Sequence, residues 1–120
     1  MSSTGIRKML EAIATKANRS VDGRKMMKEW VGQYDGKIIQ FEADSEKFYT
    51  AVTREKMKIL TGEYPAPDLI IRGKPETLLE VFTGRRRFGD AMKNWDIILV
   101  GAGHEAFHAG RLIAQVMMEA

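Results

Sequence analysis

The architecture of the chain is set by the stretch GKIIQFEADSEKFYTAVTREKMKILTG, residues 36–62. Near its start, apolar Ile39, Phe41 and Ala43 alternate with Gln40 and Glu42, which is the period of a half-buried strand. The next run, KFYTAVT, is rich in the β-branched and aromatic residues that favour strands, and MKILTG follows it after a polar turn. Three strands joined by short polar turns predict an antiparallel meander over residues 36–62.

The segments outside the meander predict helices and two more strands. Helical periodicity covers residues 3–19 and 20–31, ahead of the meander. DLIIRG (68–73) and DIILV (96–100) predict a fourth and a fifth strand, with two short helices between them and a last helix from about residue 103. The expected fold class is α+β, with a five-stranded, mostly antiparallel sheet covered by helices.

Composition limits the classes of protein that the chain can belong to. Its 120 residues suit a single domain, residues 1–120, and the absence of cysteine excludes disulfides and thiolate metal sites. The net charge of +3 is spread along the chain, without a basic stripe interleaved with aromatic residues, so no nucleic-acid partner is expected. Because the N-terminus lacks a long apolar run, we expect neither a signal peptide nor a membrane span, and a cytoplasmic location.

The segment VGAGHEA, residues 100–106, matches a variant of the glycine-rich turn that binds dinucleotides. A dinucleotide-binding unit requires a further parallel strand after the helix that follows this turn. The residues after Gly103 have only a helical pattern, which leaves no room for that strand. We therefore expect a plain strand-to-helix turn and no nucleotide cofactor.

The overlapping segment HEAFH matches the zinc-binding helix of metallopeptidases, in which His104 and His108 would bind the metal and Glu105 would act as the base. A zinc hydrolase also needs a third protein ligand, which the segment does not supply. The two histidines share a narrow polar stripe with Arg111, Gln115 and Glu119, and the arginine cation disfavours a metal dication nearby. We therefore expect an exposed polar stripe and no metal; a zinc hydrolase is an alternative.

The last helix carries more apolar surface than packing on one sheet requires. Its apolar residues extend over well over half of its circumference and include Met117 and Met118 at its far end. Such a surface would line a cavity for an apolar ligand, to which flexible methionine is suited, or would pack against a second copy or another partner. A dimerisation or accessory domain is therefore the first alternative to a ligand-binding protein.

Several segments, taken in order, resemble the sterol carrier protein 2 domain. They are GKIIQFEA, the meander, PDLIIRGKPETLLEVFTGR, DAM, and DIILVGAG before an apolar C-terminal helix, and the resemblance covers residues 20–118. The positions that carry the resemblance are Pro67, Asp68, Ile71, Gly84, Ala91, Ile98, Val100 and Gly101. The resemblance implies an apolar tunnel for a lipid beneath helices that cover a five-stranded sheet. It also implies transport or sequestration without catalysis.

These observations predict a non-enzymatic carrier for a lipid-like small molecule with a fatty acyl, isoprenoid or sterol-like body. The residues expected to contact the ligand are Phe107, Ile113 and Met117 on the last helix, opposite Leu79, Phe82, Met92 and Trp95. Arg85, Arg86 and Arg87 form either an anion clamp for a head group or a solvated basic turn. A homodimer and a transient membrane contact are further expected partners, and no cofactor is expected.

Overall fold

The helices and strands follow one another in the predicted order. The computed structural model describes the backbone of residues 2–118 and the side chains of residues 5–118. The helices are α1 Ser2–Arg19, α2 Val21–Val31, α3 Pro75–Phe82, α4 Phe88–Lys93 and α5 Gly103–Met118. The strands are β1 Lys37–Ala43, β2 Glu46–Val52, β3 Met57–Thr61, β4 Leu69–Gly73 and β5 Ile97–Gly101. Within this part of the chain no helix is long and apolar enough to cross a membrane.

The five strands form one mostly antiparallel sheet in the order β3-β2-β1-β4-β5. The predicted meander is confirmed, because β1 pairs with β2 and β2 with β3, both antiparallel. β5 joins the same sheet, as predicted, and pairs antiparallel with β4. The parallel pair is β1 with β4, and the Asp68 carboxylate supports its start by accepting a 2.7 Å hydrogen bond from the Ile38 backbone N–H.

The glycine turn after β5 is a packing feature of the sheet. Gly101 has a φ of +134°, and a Cβ there would lie 2.7 Å from the backbone oxygen of Asp68 at the start of β4. Only glycine tolerates both this conformation and this close approach. Since β5 pairs antiparallel with β4, the βαβ arrangement of a dinucleotide site is not formed around this turn.

The two faces of the sheet have different surroundings. Ile39, Phe41 and Ala43 are buried in one core with the helices, as their alternation predicts. On the opposite face, Glu42 pairs with the exposed side chain of Arg72 at 2.7 Å. Gln40 also lies on that opposite face, but it is buried. Residues 62–64 cover it, and its side-chain amide bonds to the Gly62 oxygen at 3.2 Å and the Tyr64 N–H at 2.9 Å.

Candidate functional site

An apolar pocket of about 350 Å³ lies between the helices and the inner face of the sheet. α1, α2, α5 and the α3–α4 region contribute to its walls, together with strands β1 to β4. Thr50 on β2 is the one residue with a polar side chain among the described residues that line it. A lining of this kind suits an apolar ligand, because it offers almost no hydrogen-bonding group to a polar one.

The mouth of the pocket is marked by residues that both line it and are exposed to solvent. These are Gly84, after α3, and Gly110, Ala114, Met117 and Met118 on α5. The residues that line the pocket from α1, α2 and the sheet are buried or nearly so. The pocket therefore opens between the α3–α4 turn and the C-terminal half of α5.

Three of the seven residues predicted to contact a ligand line this pocket. Phe82 comes from the last turn of α3, and Ile113 and Met117 come from α5. The Phe82 ring also packs edge-to-face on Phe41 of the sheet, with ring centroids 5.8 Å apart. The structure thus brings one predicted residue of the middle helices together with two of the last helix.

The other four predicted residues lie outside the pocket. α4 has only six residues, and Ala91 is the residue that it buries, so Met92 is 39% exposed and Trp95, just after the helix, is 79% exposed. Leu79 is half-buried against the core beside the pocket. Phe107 is 63% exposed and faces solvent on α5. The apolar residues of these segments are therefore divided between the core and the surface. α4 is too short to bury all of its apolar residues, and one side of α5 is exposed.

The three arginines of the α3–α4 turn are not equivalent. All three lie between Gly84 at the mouth and Phe88, which also lines the pocket. Arg86 bonds to Asp96 just before β5 and lies 3.9 Å from Glu80, so it braces the turn. Arg85 and Arg87 are exposed, and no described residue forms an ion pair with either of them. The cations free to meet an anion at the mouth are therefore two of the predicted three.

A buried polar cluster lies at the start of α5, directly behind one wall of the pocket. Trp30, which lines the pocket, donates its indole N–H to Oε1 of Glu105 at 2.7 Å, and Lys37 donates to Oε2 at 2.7 Å. Glu105 is 3% exposed, and the Lys37 ammonium also lies 4.3 Å from the centre of the Tyr34 ring. The indole therefore separates the apolar pocket from a buried ion pair.

Burial alone would raise the pKa of Glu105, but other contacts outweigh it. The hydrogen bonds from Lys37 and Trp30 and the positive charge of Lys37 favour the carboxylate, so the pKa lies below its ordinary value. Glu105 is therefore ionised at neutral pH. A buried carboxylate that is held by two donors is suited to fixing the positions of Trp30 and α5.

Sequence reasoning missed the cluster, although the signal was present. Glu105, Ala109, Leu112 and Val116 follow one another at spacings of four, three and four residues, and all four are buried. Glu105 therefore shares the buried register of α5, just as Lys37 shares the register of the inward-facing residues of β1. A lone acid in one apolar register and a lone base in another predict a buried pair.

The zinc hypothesis finds no support in the arrangement of the HEAFH segment. Glu105, its expected base, is occupied by Trp30 and Lys37. His104 is exposed as predicted, whereas His108 is half-buried and stacks on the Trp30 ring with centroids 6.1 Å apart. Among the residues that the structure describes, no three His, Asp or Glu side chains are grouped to hold a metal ion. Glu119, the last member of the predicted polar stripe, lies outside the described residues.

The arrangement of the sheet and helices matches solved structures of sterol carrier proteins. A ubiquinone synthesis protein, UbiJ-SCP2, superposes with a TM-score of 0.71 at 14% identity over 95% of this chain and 94% of its own. Sterol carrier protein domain 2 of Helicoverpa armigera gives a TM-score of 0.68 at 16% identity over 94% of this chain and 88% of its own. This chain has the sterol carrier protein 2 fold.

A third structure with this fold is the palmitated SCP2L2 of Aedes aegypti, with a TM-score of 0.56 at 20% identity. It covers 90% of this chain and 90% of its own. No protein-family model and no curated protein matches the chain by sequence. The likeness therefore shows the fold alone.

Proposed function

We propose that this protein is a non-enzymatic carrier that binds one lipid-like molecule, with the apolar body in the pocket and the polar end at the mouth. The observation that carries the proposal is the apolar pocket of about 350 Å³ within the sterol carrier protein 2 fold. Removing the apolar body of the ligand from water supplies the affinity, at about 25 cal/mol for each Å² buried. Fatty acyl, isoprenoid and sterol-like bodies all satisfy this requirement.

The inner walls of the pocket favour a ligand whose buried part carries no polar group. The indole N–H of Trp30 is already donated to Glu105 and is not available to a ligand. Thr50 is the polar side chain of the lining in the described part of the chain. An unpaired polar group buried in such a pocket would cost about 1–3 kcal/mol, which selects against hydroxylated or charged tails.

The rim of the mouth favours an anionic or strongly polar end group. Arg85 and Arg87 are exposed on the turn between Gly84 and Phe88, two residues that line the pocket. A carboxylate or phosphate held there would gain charge-assisted hydrogen bonds without leaving water. Arg86 contributes by holding the turn in place through Asp96.

The descriptions of the three related structures are consistent with a lipid-like ligand. One is described as palmitated, one as a ubiquinone synthesis protein and one as a sterol carrier protein domain. A binding role without catalysis is supported by the lining, in which the described residues place no carboxylate, imidazole or amine. Glu105, the nearest buried carboxylate behind the Trp30 wall, is engaged with Lys37 and Trp30.

The two tryptophans of the chain provide a direct test. Trp30 lines the pocket and is 6% exposed, whereas Trp95 is 79% exposed and lies outside it. A brominated fatty acid bound in the pocket quenches a nearby indole. We therefore expect saturable quenching in a Trp95→Phe variant, which retains only Trp30, and little quenching in a Trp30→Phe variant.

Competition and stoichiometry complete this test. Unlabelled fatty acid should reverse the quenching of Trp30, and native mass spectrometry should report one ligand for each chain. Equal quenching of both tryptophans would indicate adsorption to the surface. Quenching confined to Trp95 would contradict the proposed site.

A further inference from the structure

The surface around the mouth combines large exposed apolar side chains with arginines. On α5, Phe107 is 63% exposed, Met117 43% and Met118 84%. Arg111 lies on the same helix with its guanidinium 5.7 Å from the centre of the Phe107 ring, and Arg85 and Arg87 lie on the turn between Gly84 and Phe88, which line the pocket. We call these six residues the mouth surface. Exposed apolar side chains grouped in this way mark an interaction site more often than single ones do.

The charge of the mouth surface has one sign. Segments 84–89 and 106–118 contain four arginines and neither aspartate nor glutamate. Arg86 is occupied by Asp96, and the other three arginines are exposed. A partner that fits this surface therefore combines negative charge with an apolar layer just behind it.

An anionic lipid bilayer has both properties. Its head groups attract arginines near the surface, and apolar side chains beside them enter the boundary between head groups and acyl chains. The exposed methionine and phenylalanine side chains suit this layer, since neither carries a polar group that must be satisfied there. From the position of these residues around the mouth, we infer that the mouth surface docks on an anionic bilayer with the pocket opening toward the acyl chains. This step goes beyond the proposed function, because docking does not require a bound ligand.

A second copy of the chain fits the surface less well. A two-fold pairing of α5 with itself makes each residue meet its counterpart across the axis. Arg111 lies near the middle of Gly103–Met118, so a pairing centred on the helix would bring two arginines together with no acid between them. Like charges facing each other disfavour an interface.

The test is flotation of the full chain with lipid vesicles. Vesicles of phosphatidylcholine mixed with phosphatidylglycerol should carry the protein to the top of a density gradient, and pure phosphatidylcholine should carry much less. High salt should weaken the association, because exposed charges are screened. Arg111→Ser is expected to lower the bound-to-free ratio about fivefold, the contribution typical of one basic residue at an anionic surface.

Matched variants on α2 separate this surface from general stickiness. Phe107→Ser and Arg111→Ser should each reduce flotation, and neither residue lines the pocket. Val21→Ser and Lys25→Ser change an exposed apolar and an exposed basic residue on a different helix and should leave flotation unchanged. An equal loss in both sets of variants, or no flotation of the unaltered chain, would overturn the inference.

Two further measurements distinguish the remaining outcomes. If sedimentation in solution shows a dimer that Phe107→Ser dissociates, the surface binds a second copy and the bilayer inference fails. Quenching of Trp30 by brominated fatty acid is measured without vesicles. If quenching persists while flotation is absent, docking fails and the carrier proposal stands; if flotation persists without quenching, the carrier proposal fails and docking stands.

Discussion

The two ends of α5 differ in how they pack against the rest of the molecule. At its start, Glu105 is buried and held by Trp30 and Lys37. At its far end, Ala114, Met117 and Met118 line the pocket and are also exposed at the mouth. The first end is closed by strong, specific contacts, and the second leaves space beneath an apolar face. A single helix can therefore be anchored at one end and border a ligand pocket at the other.

The largest expected effect comes from breaking the anchored end. Glu105→Leu removes the carboxylate and leaves Lys37 buried without its partner, which should lower the free energy of unfolding by about 3–5 kcal/mol. Urea denaturation measures this loss. Lys37→Met combined with Glu105→Leu should recover most of the loss, because no buried charge remains.

An exposed ion pair gives the scale for that experiment. Lys47 and Glu63 are 3.0 Å apart on the surface, and Lys47→Ala should cost far less stability than Glu105→Leu, because an ion pair in water contributes little. A loss for Glu105→Leu as small as that of Lys47→Ala would mean that the closed end of α5 is held by apolar packing alone.

The next effect compares overpacking at the open end with overpacking in the core. Ile113 lines the pocket, whereas Val116, one turn further along α5, is fully buried and does not. Val116→Trp should lower the free energy of unfolding by about 1–3 kcal/mol or more, because a close-packed site has no room for the ring. Ile113→Trp should change stability less and should reduce fatty acid binding, since the ring occupies ligand space. Comparable stability losses at both positions would argue that no usable space lies beneath this helix.

Acid should weaken the anchored end without changing its sequence. The pKa of Glu105 lies below its ordinary value of 4.5 because Lys37 and Trp30 outweigh the effect of burial. The stabilisation is therefore complete above pH 4.5 and is lost as the pH falls through the lower pKa of the folded state. Thermal unfolding of the unaltered chain and of Glu105→Gln, followed across this range, should show a steeper acid loss in the unaltered chain. Parallel curves would contradict it.

The smallest expected effect is on selectivity at the mouth. Replacing Arg85 and Arg87 together with serine should weaken binding of a fatty acid by a few-fold, since each exposed charge pair contributes about 0.2–1 kcal/mol. A fatty alcohol of the same length should be affected less, and the difference should shrink at high salt. Arg24→Ser with Lys25→Ser removes the same charge on α2 and serves as the control. If the binding of the fatty acid and of the fatty alcohol weakens equally, the arginines form a solvated turn and do not hold a head group.

Periodicity alone determined the order of the elements and most of the core. The alternation of Ile39, Phe41 and Ala43 predicted the inner face of β1 correctly, because successive side chains of a strand point to opposite sides. The meander followed from the short polar turns between its strands. These properties are local, so neighbouring residues are sufficient to specify them.

Contacts between distant residues could not be derived from local pattern. Glu105 and Lys37 are 68 positions apart; their registers indicate that both are buried, but the contact between them depends on how β1 and α5 pack. The same limit applies to Met92, Trp95 and Phe107. The local pattern shows that these residues are apolar, but it does not show which side of each helix borders the pocket. The length of α4 and the rotation of α5 leave all three outside it.

By itself, the sequence determined an α+β chain with an apolar last helix and a basic turn before α4. Only the tertiary structure decided that β1 and β4 run parallel, that the start of α5 is held by a buried ion pair, and that the pocket opens between α5 and the arginine turn. The physical reason is that secondary structure depends on the period of apolar residues over a few turns. A pocket depends instead on which faces of separate elements fail to meet, and that is a property of the whole packing.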